Sequence, residues 1–301
     1  MINGIINVYK EAGFTSHDVV AKMRGIFGQR KIGHTGTLDP DAEGVLPVCF
    51  GKATKVCDLL TEKDKGYRCV MRLGIRTDTQ DMSGNVLSET VPDVTQEQVR
   101  EAVLGFMGDY QQIPPMYSAL KVDGKRLYEL ARAGKEVTRQ PRPVRILNIQ
   151  IQEIAFSRVT MEVTCSKGTY IRTLCYDIGE TLGCGACMEH LVRTRSGSFK
   201  LEDSHTLGEL EQLVKEGRGQ EVLLPVDTVF SQYPKASAAA EWGKLLENGN
   251  CLPISALQKQ SGSLTGTPFR LYDASGKFAG VYELRGQGRE IRPIKIFWEK
   301  D

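Results

Sequence analysis

Residues 34–48 read HTGTLDPDAEGVLPV and carry three carboxylates, Asp39, Asp41 and Glu43, closed by Gly44 and an apolar run. Acids at alternate positions ahead of a glycine are how an EF-hand calcium loop begins. Such a loop needs a bidentate carboxylate at its twelfth position, which here is Phe50, and its ninth position is Pro47. The calcium reading fails for want of the closing ligand. Pro40 pushes Asp39 into an extended backbone, so its carboxylate is displayed from a turn. A carboxylate so displayed serves either as a turn former or as a group for chemistry, and local sequence leaves both open.

Outward from this turn, the flanking pattern alternates helix and strand. Residues 15–29 predict a helix: Ser16 is placed to cap it, Val19, Val20, Met23, Ile26 and Phe27 share a face, and Gly28 is placed to end it. In GYRCVMRLG, residues 66–74, Tyr67, Cys69, Met71 and Leu73 alternate with Arg68, Val70 and Arg72, the period of a half-buried strand with Tyr67 inward. Residues 93–108 predict a second helix. Residues 144–156 and 158–166 predict two strands paired as a hairpin, and residues 169–182 a helix with a stripe of Ile171, Leu174, Cys175, Ile178 and Leu182 ended by Gly183. Residues 190–201 predict a further strand.

Arg172 falls in the first turn of that helix, where a cation meets the positive end of the macrodipole. Either it is simply exposed or a carboxylate compensates it and is held ionised in return. His34 follows Arg30 and Lys31, and is either uninvolved or placed for a phosphate or a base. Tyr67 and Tyr170 fit equally well as core aromatics.

The chain has 301 residues, 41% apolar and 25% charged, which is enough for a large core and two domains. No run of about eighteen apolar residues occurs and the first residues lack a signal-peptide layout, so a soluble cytoplasmic protein is expected. The eight cysteines are scattered and suit reduced core thiols. Only Cys184 and Cys187 have ligand-like spacing, and the nearest further ligand, His190, stands alone, so no metal site is expected.

The net charge of +2 hides an asymmetry: residues 114–145 hold eight basic and three acidic side chains. Tyr117 and Tyr128 lie among them, the composition of a polyanion contact or of a solvated helix. Pro114-Pro115 and Asp123-Gly124 mark irregular chain around a short helix at 125–134, so this window reads as an insertion. Composition shifts at residues 201–227. Beyond Thr228, residues 269–284 and 291–298 alternate about a glycine-containing turn and predict a small β-rich second domain.

Taken together, residues 4–20, 30–55, 64–84, 114–134, 165–179 and 190–199 resemble, in order, the bacterial tRNA pseudouridine-55 synthases of the TruB family. The block GTLDPDAEGVL with a downstream KGY and GTYIR carries that resemblance. It is close over about residues 1–200 and looser beyond. It implies an α+β fold: a pseudouridine-synthase catalytic domain at 1–227 around a mixed, largely antiparallel sheet, with an RNA-clamping insertion at about 113–142. A PUA-like β-domain at 228–301 would help hold RNA.

The implied reaction flips uridine 55 out of the tRNA T-stem loop, cleaves its glycosidic bond and rejoins the base through C5, with no cofactor. Asp39 would be the catalytic carboxylate, Arg172 its partner, and Tyr67 would stack on the base and assist proton removal from C5. His34, Tyr170 and Leu191 would contact or support the flipped nucleotide. Lys121, Lys125, Arg126 and Arg132 would meet RNA phosphates. Whether Asp39 adds to C1′ or abstracts a sugar proton toward a glycal stays open. The implied protein is a monomer needing no protein partner. Two other classes remain: a non-catalytic tRNA chaperone, and a guide-RNA-dependent synthase subunit.

Overall fold

The computed structural model describes residues 2–122, 124–260, 262, 264, 266–286 and 288–298. Asp123, half of the expected Asp123-Gly124 break, lies outside the described residues, as do the last three positions of the expected second domain. In chain order the first part comprises β1 (Gly4–Lys10), α1 (Ser16–Phe27), β2 (Ile32–His34), β3 (Glu43–Phe50), α2 (Cys57–Thr61), β4 (Lys65–Leu73), β5 (Ile75–Thr77), β6 (Val86–Glu89), α3 (Gln96–Leu104), β7 (Gly108–Gln112), β8 (Lys121–Val122), β9 (Lys125–Arg126) and α4 (Leu127–Arg132). There follow β10 (Arg142–Ala155), β11 (Arg158–Cys165), α5 (Ile171–Thr181), β12 (Ala186–Ser196), β13 (Phe199–Lys200) and α6 (Leu207–Lys215).

One sheet organises these pieces, in the order β1-β3-β12-β4-β11-β10-β7, with β2 on β3 and β13 on β12. Every pairing is antiparallel except β3 with β12, which touch in parallel only at Val192 opposite Glu43 and Arg193 opposite Gly44. The sheet is therefore mixed and largely antiparallel, as expected. The short parallel contact is its weak seam, and the acidic turn sits just before it. Gly44 permits the approach: its φ is +101° and a Cβ there would lie 2.3 Å from the Arg193 carbonyl oxygen.

The inward row of β4 is as the alternation predicts, with Tyr67, Cys69, Met71 and Leu73 all buried beneath α5 and α3. β10 and β11 form the expected hairpin. The expected cap of α1 needs correction: Thr15 caps it in a capping box with Asp18, while Ser16 is buried and its hydroxyl accepts the Leu38 amide at 2.9 Å. Ser16 thus serves the acidic turn, because a hydroxyl one residue inside the helix points across to the neighbouring loop rather than back at the free amides.

The C-terminal part holds β14 (Lys235–Ala238), α7 (Gly243–Glu247), β15 (Leu252–Pro253), β16 (Leu257–Gln260), β17 (Phe269–Tyr272), β18 (Phe278–Arg285) and β19 (Glu290–Ile296). They form a second sheet in the order β15-β19-β18-β17-β14-β16. Phe269, Leu271, Tyr282, Ile291 and Trp298 make its own core. Val281 and Phe297 join Phe230, Ile5 and Val45 in a shared cluster, so this β-unit is packed onto the first sheet by apolar burial.

Candidate active site

The turn between β2 and β3 is built from below by a lysine. Lys10 is fully buried, and its Nζ donates to the carbonyls of Glu11 at 3.0 Å, Pro40 at 2.9 Å and Ala42 at 2.6 Å. Burial pushes its pKa down to about 8, with Asp41 and Asp39 resisting. The Ala42 amide closes the turn on the Asp39 carbonyl at 3.2 Å. Asp39 emerges from this support with its side chain 35% exposed.

Arg172, at the second position of α5, is only 4% exposed and points into the same space. Its Nη2 donates to the Tyr117 carbonyl at 2.5 Å and lies 3.4 Å from Asp39 Oδ1, and its Nη1 lies 3.5 Å from Asp81 Oδ2. Separations of this length are beyond an ordinary hydrogen bond, so both carboxylates are tied to Arg172 chiefly by charge. The unfavourable helix end is answered by two acids where one was expected. Desolvation raises the Asp39 pKa above its ordinary value, Arg172 opposes that rise, and Asp81 adds to it.

Asp81 was not legible in advance. It lies in the loop between β5 and β6, where several polar residues look alike in sequence. Its Oδ1 accepts from Thr79 Oγ1 at 2.7 Å, the Ser83 amide at 3.1 Å and Ser83 Oγ at 2.5 Å. The Gln80 side chain accepts from Thr173 Oγ1 at 2.7 Å, and Met82 donates its amide to the Met188 carbonyl. The loop is thereby fixed to both α5 and β12, and Asp81 is held against Arg172.

Tyr67 and Leu191 are brought to this pocket by β4 and β12, where they cluster with Leu38, Ala42 and Ile171. Burial raises the Tyr67 phenol, and Arg193 opposes the rise. Tyr170 stands at the head of α5 with its ring centroid 5.9 Å from the Arg172 guanidinium. Its backbone is clamped by Gln112, which accepts the Tyr170 amide at 2.8 Å and donates to its carbonyl at 3.0 Å. His34 ends β2, its Nδ1 3.2 Å from the Gly36 carbonyl and its ring edge-on to His17 at 5.2 Å; burial lowers its pKa.

An ionisable acid beside a fixed cation, next to an apolar cluster that holds Leu38, Tyr67, Ile171 and Leu191, is suited to displacement or proton transfer at a substrate held out of water. Among the described residues no three His, Cys, Asp or Glu side chains gather as metal ligands. The Cys184-Cys187 spacing is spent otherwise: Cys187 Sγ lies 3.4 Å from Met82 Sδ, and His190 faces Glu43 at 2.8 Å.

Two family models account for most of the chain. The TruB family pseudouridylate synthase N-terminal domain matches residues 24–171, and the tRNA pseudouridylate synthase B C-terminal domain matches residues 172–231. The chain belongs to the TruB family of pseudouridine synthases. It is 52% identical to the tRNA pseudouridine synthase B of Lachnoclostridium phytofermentans, covering 98% of this chain and all of that one. It is 49% identical to that of Alkaliphilus oremlandii, over 98% and 97% of the two chains. Among solved structures it is similar to an H/ACA RNP bound to a substrate RNA containing 2'-deoxyuridine, at TM-score 0.73 and 26% identity over 99% of this chain and 86% of that one. A Cbf5-Nop10-Gar1 complex matches at TM-score 0.71 and 28% identity, over 99% and 84%.

In this TruB-family chain the basic insertion is a layer next to the pocket. β8 and β9 pair with Lys121 opposite Arg126, and the guanidinium groups of Arg126 and Arg132 lie 5.7 Å and 5.5 Å from the Tyr128 ring. Lys121, Lys125, Arg126 and Arg132 are all exposed. The Tyr117 carbonyl held by Arg172 ties this layer directly to the buried ion pairs. Lys10, Gln112 and Arg193 are buried, and with the half-buried Asp81 they are polar residues that the sequence did not single out.

Proposed function

We propose that this chain isomerises the uridine at position 55 of tRNA to pseudouridine as a stand-alone cytoplasmic monomer. The observation that supports this most is the meeting of Asp39 with Arg172, 133 residues apart in sequence, beside Tyr67 and Leu191. It agrees with the activity named for relatives that match end to end.

The target nucleotide flips from the T-loop into the pocket, at a cost of a few kcal/mol that stacking and enclosure offset. Tyr67 stacks on the uracil while Leu191 shields the detached base from water. His34 and Tyr170 support the nucleotide at the pocket rim. Asp39, held ionised by Arg172, acts at the ribose, either by adding to C1′ or by taking a sugar proton. The freed base turns and rejoins through C5, and Tyr67 assists loss of the C5 proton. No cofactor takes part. Residues 1–227 serve as the catalytic domain and 228–301 as an RNA-binding PUA-like domain. The insertion at 113–142 clamps the T-stem, with Lys121, Lys125, Arg126 and Arg132 on its phosphates.

The test is tritium release from C5-labelled uridine in an unmodified tRNA transcript, with the purified chain alone and the modified position mapped. Release at position 55 by the wild type, and none by Asp39→Asn despite retained binding, is the expected result. Tight binding without release points instead to a chaperone. Release only with added guide RNA and proteins points to a subunit of the kind found in the H/ACA neighbours, and either outcome overturns the proposal.

A further inference from the structure

Among the described residues Arg193 is the largest side chain that is almost wholly buried, at 1% exposed. Its Nε donates to the Val45 carbonyl at 2.6 Å and its Nη1 reaches the Thr37 carbonyl at 3.5 Å, while its Nη2 has no partner. Among the described residues no carboxylate forms an ion pair with it, and the group whose charge bears on it favourably is the Tyr67 phenol. The two residues stand directly opposite each other in the antiparallel register of β12 and β4. An apolar side chain would fill this seam without the cost of desolvating a cation. The retained charge therefore calls for a use, and the guanidinium, its Nη2 unpartnered, stands opposite Tyr67 and bears on its hydroxyl.

We propose that Arg193 is a positioning residue for the isomerisation, its buried guanidinium stabilising the phenolate of Tyr67 so that Tyr67 is the base that removes the C5 proton. This rests on the reading of the pocket as the site of uridine isomerisation. After the new C1′–C5 bond forms, C5 still carries its hydrogen. The Tyr67 phenolate oxygen takes that proton, the C5–H electron pair restores the C5=C6 double bond, the C6=N1 pair returns to N1, which takes a proton from solvent, and the resulting phenol returns its own proton to solvent. The other ionisable groups facing Tyr67 are Cys165 from β11 and Asp39 from the turn, and both resist phenolate formation. Arg172, from α5, faces Asp39 and Asp81. Lys65 on β4 points the same way as Tyr67, but its Nζ is occupied by the Thr61 and Lys63 carbonyls. Arg193 is thus the cation placed to favour the ionised phenol.

The experiment labels the full chain with tyrosine carrying carbon-13 at Cζ, assigns Tyr67 by its loss in Tyr67→Phe, and titrates wild type, Arg193→Met and Arg193→Lys. Tyr67 is expected to ionise about one to three pH units higher in Arg193→Met, with lysine restoring most of the difference. The pH profile of tritium release in single turnover should shift in step. A loss of rate with an unmoved Tyr67 titration makes Arg193 merely structural and overturns the proposal. Where Arg193→Met does not fold, the wild type decides by comparison with Tyr110, which is raised by burial and by Asp177 with no cation beside it. Tyr67 must then ionise below Tyr110, and ionisation at or above it is the contrary result. Wild-type release by Tyr67→Phe would remove the base role alone, whereas release by Asp39→Asn would remove the reading of the pocket itself.

Discussion

Replacing Asp81 with asparagine keeps the shape of the side chain and removes one of the two negative charges that face Arg172. Because Arg172 is 4% exposed, water does not make good the loss. Removing one partner of a buried ion pair costs about 3–5 kcal/mol, Asp39 remains to offset part of that, and each 1.36 kcal/mol is tenfold in rate, so a loss of about ten- to a hundred-fold is expected in the chemical step. The pH dependence carries the sharper signature. Asp81 raises the Asp39 pKa and Arg172 lowers it. In the proposed reaction Asp39 acts ionised, so activity should fall as pH drops through the Asp39 pKa, which burial has moved above the ordinary carboxylate value. Asp81→Asn should therefore move the acid limb to lower pH even as the rate declines, and Arg172→Met should move it to higher pH. The assay is single-turnover tritium release with enzyme in excess, across the mildly acidic to neutral range, with transcript binding measured alongside. An Asp81→Asn enzyme of unchanged rate, or one whose acid limb moves up, would refute the electrostatic account of this trio.

Three further outcomes follow from the same structure. Transcript affinity should weaken as salt rises, and Lys125→Glu with Arg126→Glu should weaken it further and flatten the salt dependence by about one logarithmic unit of slope per lost phosphate contact; an affinity indifferent to salt would remove the phosphate role of the insertion. Lys10→Met leaves the carbonyls of Glu11, Pro40 and Ala42 without their donor. Urea unfolding should show a loss of about 1–3 kcal/mol, and unchanged stability would mean the turn is supported elsewhere. Gln112→Leu removes both bonds to the Tyr170 backbone; release at subsaturating transcript should fall more than release at saturation if Tyr170 supports the bound nucleotide.

Much of the architecture was legible because it is written in short-range periods. The two-residue alternation of residues 66–74 exposed β4 and its inward row, and the 3.6-residue stripe from Ile171 to Leu182 exposed α5. Asp39 was legible as a displayed turn carboxylate, and the motif resemblance implied a catalytic role for it. The position of Arg172 at a helix N-terminus signalled a missing partner, since the local field there is unfavourable to a cation. The sequence left open whether this arginine was exposed or met an acid. It could not say that two would come.

What only the tertiary structure decided concerns charge inside the protein. Lys10, Asp81 and Arg193 look like solvated residues, because charged side chains stay outside unless distant partners compensate their desolvation. Those partners are the carbonyls of a turn about thirty positions away for Lys10, a guanidinium on α5 for Asp81, and the Val45 and Thr37 carbonyls for Arg193. Sequence spacing reports neighbours within a turn of helix or along a strand, and it determined the elements and the displayed carboxylate. The ionisation of that carboxylate, and of the tyrosine beside it, depends on which charges the fold brings within a few ångströms, and those charges come from α5, the loop after β5 and β12.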